Sequence, residues 1–149
     1  MKNRKYYSYN EFRDDLKVLI QKIDYNFDTI IAIARGGLSI GQLLGEYYNI
    51  RKVYSINTIG YDRDKKLDKI EIFNIPNLKE SQNILIVDDI VDSGDTLVLI
   101  LDRVKELYPD KNFKSASIFY KPSAIIQPDY SIREAKEWIE FFWSKDLNS

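Results

Sequence analysis

Ile84 to Leu97 reads ILIVDDIVDSGDTL. Asn83 to Val87 is a short, β-branched apolar run of the kind that is buried on both faces of a parallel sheet. Asp88 and Asp89 sit where the run ILIV stops, which places two carboxylates at the carboxyl end of a strand, the edge where ligands collect in open α/β sheets. Asp88, Asp89, Asp92 and Asp95 fall within eight residues, and like charges so close repel unless a cation, donors or solvent compensate. A solvated acidic loop would account for the clustering alone. It would not account for the buried strand that feeds it, or for Ser93, Gly94 and Thr96 filling the turn before a helix. A helix N-terminus offers unpaired N–H groups and a positive dipole end, glycine permits close backbone approach, and hydroxyls add donors. Residues 93–96 are therefore a candidate phosphate cradle. Neither the P-loop pattern nor GxGxxG occurs, so carboxylates beside this loop point to a ribose phosphate rather than to those nucleotide sites.

Upstream, Thr29 to Ala34 reads as a strand, Arg35-Gly36-Gly37 as a glycine turn, and Leu38, Leu43 and Leu44 as the start of a helix. That turn brings backbone N–H groups and a guanidinium toward the same sheet edge, although an ordinary strand-to-helix turn would look alike. Lys52 to Ile59 is a further strand, Gly60 to Lys69 (GYDRDKKLDK) a charged loop without apolar period, and Ile70 to Ile75 a returning hairpin strand. Near the N-terminus, Ser8 and Glu11 have capping-box spacing, and Phe12, Leu16, Leu19, Ile20 and Ile23 share one helical face.

Downstream, Leu97, Leu101, Val104 and Leu107 predict a helix ending near Pro109, and Ser115 to Tyr120 predicts a strand followed directly by Lys121-Pro122. Ser131 and Glu134 repeat the capping-box spacing, and Ile132, Ala135, Trp138, Ile139 and Phe142 locally predict a helix, with Trp138 and Ile139 as core or helix stripe. Helices alternate with strands through the middle, which defines an α/β class with a mainly parallel central sheet flanked by helices. No repeat or dividing linker interrupts residues 1–149, and one domain is expected.

The 22 basic residues against 23 acidic ones give no broad positive field, so nucleic acid is not an expected partner. The absence of cysteine excludes disulfides and thiolate chemistry, and the absence of histidine excludes imidazole triads and imidazole zinc sites. Carboxylates, Lys, Arg, Tyr, hydroxyls and backbone remain. MKNRKYYSYNEF lacks a signal peptide's apolar stretch, and no later run approaches membrane-spanning length; a cytoplasmic protein without integral membrane association is expected.

VDDIVDSGDT resembles the signature of the type I phosphoribosyltransferases: an apolar strand, two acids, and a further acid before a Ser/Thr-Gly-x-Thr loop. The series IAIARGGLSIGQLLGEYYNIRKV, SINTIGYD, ILIVDDIVDSGDT, FYKP and WIEFFW is similar, in order and approximate spacing over most of the chain, to bacterial xanthine-guanine phosphoribosyltransferases. The resemblance implies the type I phosphoribosyltransferase fold, with a small C-terminal hood at about 121–149. It implies an Mg2+-dependent salvage enzyme that moves ribose 5-phosphate from phosphoribosyl pyrophosphate to a 6-oxopurine, as a homodimer or homotetramer.

The same resemblance implies that Arg35, Gly36 and Gly37 bind pyrophosphate, with a cis peptide at or next to Ala34-Arg35, and that Ser93, Gly94, Asp95 and Thr96 hold the 5-phosphate. Asp88 and Asp89 would serve the ribose hydroxyls and the metal, Tyr61 the inner face of a closing loop. Lys121 would bond the purine 6-oxo group, Trp138 stack on the base, and the Ile139 backbone read the edge carrying the 2-substituent. Asp92, between the carboxylate pair and the phosphate loop, is the expected proton-transfer residue at purine N7. The family pattern also implies a strand near Tyr130 to Arg133 and an extended Trp-Ile segment, in place of the local helix. Phe142 stands where bacterial relatives tend to have proline, and Asp95 occupies a variable position, its charge expected to point away from the phosphate. A phosphoribosyl pyrophosphate-sensing regulator of the same fold, or a transferase for another acceptor, are the alternative readings.

Overall fold

Strand β5 (Asn83–Val91) forms the middle of the sheet, with β2 (Thr29–Ala34) on one side and β6 (Asn112–Tyr120) on the other, both parallel to it. This computed structural model describes residues 3–60 and 70–148. Beyond β2 lie β3 (Val53–Gly60) and the antiparallel edge strand β4 (Ile70–Phe73), and beyond β6 lies β7 (Arg133–Glu134), giving the order β4-β3-β2-β5-β6-β7. Helix α2 (Leu38–Tyr48) joins β2 to β3, and α3 (Asp95–Leu107) joins β5 to β6. The connections thus leave in opposite directions from β2 and β5, which makes the gap between those strands the switch point of the sheet.

Alternate residues of the central strands enter two separate cores. Ile30, Ala32, Leu85 and Val87 pack with α1 (Tyr9–Lys22) and α2, while Ile31, Ile33, Ile84 and Ile86 pack with Leu97, Ile100 and Val104 of α3. Burial on both faces explains why these strands are continuous apolar runs. The Ser8 capping box forms as its spacing predicts, with Ser8 Oγ accepting from Glu11 N at 3.1 Å and Ser8 N donating to Glu11 Oε2 at 2.9 Å.

Two sequence expectations are corrected, and one strand appears that none had named. Strand β5 does not end at Val87: it runs on through both aspartates to Val91, because β6 continues beside it with Asp88 opposite Ser117 and Val91 opposite Tyr120. The N-terminal segment holds an unanticipated strand, β1 (Arg4–Tyr7), in parallel register with β8 (Trp138–Phe141) as a two-stranded sheet. Local periodicity near Ser131 does not yield a helix, since Ile132 N donates to Ile118 O and Ala135 N to Tyr120 O, committing that backbone to β6. The family-implied extended path is the one observed, with a bridge at Tyr130 and helix α4 confined to Phe142–Lys145. The expected closing loop, Tyr61 included, lies outside the described residues apart from Gly60, which ends β3. No helix among the described residues is long and apolar enough to cross a membrane.

Candidate active site

The turns after β2, β5 and β6 converge beyond the carboxyl edge of the sheet. The Ala34–Arg35 peptide is cis, and Gly37 N donates to Ile33 O at 2.8 Å as the chain enters α2. A Cβ on Gly36 would overlap the Asp89 carboxylate, so the glycine turn and the second aspartate of β5 are in direct contact. Arg35 is exposed at the tip of this turn.

The backbone hydrogen bonds that Asp88 and Asp89 accept are local: Asp89 N donates to Asp88 Oδ1 at 2.9 Å and Ile90 N to Asp89 Oδ1 at 2.7 Å. Burial, and then the neighbouring Asp89 charge, push the Asp88 carboxyl well above the usual carboxylate range, and burial likewise raises Asp89. Among the described residues no cationic side chain offsets either shift. Two uncompensated hard oxygen donors suit Mg2+ in character. The described residues hold no group of three or more His, Cys, Asp or Glu arranged for a metal, so the pair could supply only part of a coordination shell.

Where β5 ends, a cavity of about 100 Å3 is lined by Asp88, Asp92, Ser93, Gly94 and Thr96. Gly94 is the N-cap of α3 with φ 88°, and Ser93 Oγ accepts from Asp95 N at 3.2 Å. The segment after β6 closes over this turn: Ile125 N donates to Ser93 O at 2.8 Å, and a Cβ on Gly94 would meet Ile126 at 3.1 Å. Asp95 is exposed and does not line the cavity.

A second cavity, of about 330 Å3, is bounded by Ile90, Asp92, Lys121, Trp138 and Ile139. Lys121 is placed by its own N–H, which donates to Val91 O at 3.0 Å, and its Nζ lies 2.7 Å from Asp92 Oδ1. Asp92 therefore belongs to both cavities. Trp138 is 56% exposed, an unusual state for so large an apolar ring unless something covers it. Arg4 and Lys145 both hold Glu140, at 3.1 and 3.2 Å, on the same wall. Sequence reasoning missed these residues because Arg4 reaches the cavity through the β1–β8 pairing, and RKYY, two charged residues followed by two aromatic ones, carries no strand alternation that would signal it.

The chain belongs to the phosphoribosyl transferase domain family, whose model matches residues 7–149. Its fold is that of the type I phosphoribosyltransferases. Among curated relatives, the xanthine-guanine phosphoribosyltransferase of Vibrio atlanticus is 35% identical over 121 residues, 80% of this chain and 73% of that protein. The solved Helicobacter pylori xanthine-guanine-hypoxanthine phosphoribosyltransferase superposes with a TM-score of 0.90 at 37% identity, covering 98% of this chain and 97% of the other. A purine phosphoribosyltransferase from Pyrococcus horikoshii gives 0.82 at 29%, covering 94% and 93%.

Proposed function

We propose that this protein is a purine-salvage transferase that carries ribose 5-phosphate from phosphoribosyl pyrophosphate to xanthine, guanine or hypoxanthine, releasing pyrophosphate. The observation that carries this reading is Asp92 standing in the wall between the small cavity at the phosphate loop and the larger one at Trp138, with Lys121 at 2.7 Å. The 6-oxo group and N7 share one edge of a guanine-type base. A neighbouring ammonium and carboxylate meet that edge side by side, the ammonium donating to the oxygen and the carboxylate exchanging a proton at N7. The names of the Vibrio and Helicobacter relatives support the same acceptor class.

In this scheme Ser93, Gly94, Asp95 and Thr96 hold the 5-phosphate, chiefly by backbone N–H groups and hydroxyls at the start of α3. Asp88 and Asp89 orient the ribose hydroxyls and are the residues that would hold Mg2+. When bound, the metal supplies positive charge beside the pyrophosphate oxygens. Arg35 and the Gly36-Gly37 backbone stabilise the leaving pyrophosphate as its charge grows. Trp138 stacks on the base, and the Ile139 backbone reads the edge with the 2-substituent. As the anomeric carbon acquires oxocarbenium character, Asp92 takes the N7 proton and keeps the purine nitrogen electron-rich. Tyr61 serves the inner face of a loop that excludes water. Residues 121–149 act as a hood over the base, and a cytoplasmic homodimer or homotetramer belongs to the same proposal.

The test is nucleotide formation from phosphoribosyl pyrophosphate, Mg2+ and each of xanthine, guanine, hypoxanthine, adenine, uracil and orotate. Turnover confined to the 6-oxopurines is expected. No nucleotide with any purine overturns the reading.

A further inference from the structure

Away from both cavities, Asp15 of α1 is 3% exposed and receives three hydrogen bonds from two other elements. Tyr7 OH, on β1, donates to Oδ2 at 2.5 Å; Arg133 of β7 donates from Nε to Oδ2 at 2.7 Å and from a terminal nitrogen to Oδ1 at 3.1 Å. Burial, and then the Asp15 hydrogen bond, push the Tyr7 phenol far above its ordinary range, which keeps its proton available for donation. We propose that Tyr7, Asp15 and Arg133 are positioning residues that set affinity for the acceptor base without touching it.

The argument starts from where the Tyr7 ring lies. It meets Phe119 edge-on at 5.0 Å and Phe141 at 5.7 Å. Phe119 is two residues before Lys121 on β6, and Phe141 is two residues after Ile139 on β8. One buried ring thus touches both strands that deliver the proposed base-reading residues. The β1–β8 sheet has only two strands, in the register Arg4 to Trp138 and Lys5 to Ile139, and a two-stranded ribbon has little stability of its own. Its placement depends on what anchors it. Asp15 ties the ribbon, through Tyr7, to the same helix position that holds β7, the last strand of the main sheet.

Packing alone does not require this arrangement. Asp15 is buried while the Arg133 side chain is 46% exposed, so the pair adds little stability for the cost of burying the carboxylate, and its value here lies in fixing one geometry. None of the three residues lines the cavity at the phosphate loop, so the effect is assigned to the base and not to phosphoribosyl pyrophosphate.

This inference rests on the proposed transferase activity. The experiment is steady-state kinetics of Tyr7→Phe, which keeps the ring, the core volume and the Asp15–Arg133 pair, with Arg133→Lys as a second variant that retains charge but loses the fork. Both are to be read below their melting temperatures, alongside purine titration of tryptophan fluorescence. A purine KM raised about threefold to tenfold is expected, with kcat and the phosphoribosyl pyrophosphate KM nearly unchanged. An unshifted purine KM in folded protein, or both KM values moving together, overturns the inference. If Tyr7→Phe does not fold, Arg133→Lys decides by the same criteria. Wild-type protein that turns over no purine sinks the transferase reading instead, so the two failures are distinguishable.

Discussion

Lys121 Nζ and Asp92 Oδ1 are 2.7 Å apart at the mouth of the larger cavity. In the proposed scheme an arriving 6-oxopurine would exchange this ion pair for one contact from each side chain to its polar edge atoms. The Lys121 side chain is 38% and the Asp92 side chain 62% exposed, so the pair contributes little to folding. Lys121→Ala is expected to change unfolding free energy by less than about 1 kcal/mol while raising the purine KM at least tenfold, roughly the loss of a charge-assisted hydrogen bond. Denaturant melts and initial-rate kinetics on the same preparation check this; a large stability loss with normal purine KM would reverse the assignment.

Asp92→Asn retains shape but cannot take a proton. Turnover is expected to fall on the order of 100-fold or more, with phosphoribosyl pyrophosphate binding by calorimetry largely spared. Near-wild-type turnover removes Asp92 from proton transfer.

The Asp88 carboxyl is raised by burial and by Asp89. A carboxyl whose folded pKa exceeds its unfolded one favours folding while protonated, and that contribution is lost as pH rises from the ordinary carboxylate range through the folded value. The ligand-free protein is therefore expected to lose stability over that window, and Asp88→Asn to flatten the loss and raise Tm near neutrality. Thermal melts across the acidic range read the slope. A wild-type Tm that climbs over the same window as steeply as that of Asp88→Asn contradicts it.

Gly94 holds φ 88° beneath Ile126, and Gly36 lies against Asp89. Gly94→Ala is expected to destabilise by about 1–2 kcal/mol. Gly36→Ala forces the Asp89 carboxylate aside, and its expected signature is a raised KM for phosphoribosyl pyrophosphate with the purine KM retained. Crossed-substrate kinetics separate these effects, and an unchanged donor KM in Gly36→Ala removes the contact from the site.

The two turns proposed to hold the donor were legible in the sequence because each is built locally. Strand, turn and helix follow one another within Thr29–Tyr48 and again within Asn83–Leu107, and each announces itself through an apolar run, glycines and hydroxyls. The exact end of β5 was not legible, since a charged Asp88 gives no sign that Ser117 continues the ladder beside it. The acceptor end was harder for a related reason. Trp138 and Ile139 show a helical spacing by themselves, and their extended path is decided by hydrogen bonds to β1 and β6 that no local window contains. Tyr7 and Asp15 were invisible as a pair: one looks like part of a polar leader and the other like a helix surface residue, and burial arises only when Arg133 arrives.

The pairing of Arg4–Tyr7 with Trp138–Phe141 gives the molecule an order of assembly. β1 pairs with a strand far along the sequence, whereas the turn around Gly94 is completed by Ile125 and Ile126, which follow β6 and precede β8. A nascent chain can therefore complete the loop proposed to hold an activated sugar before the strand proposed to read the acceptor has been made.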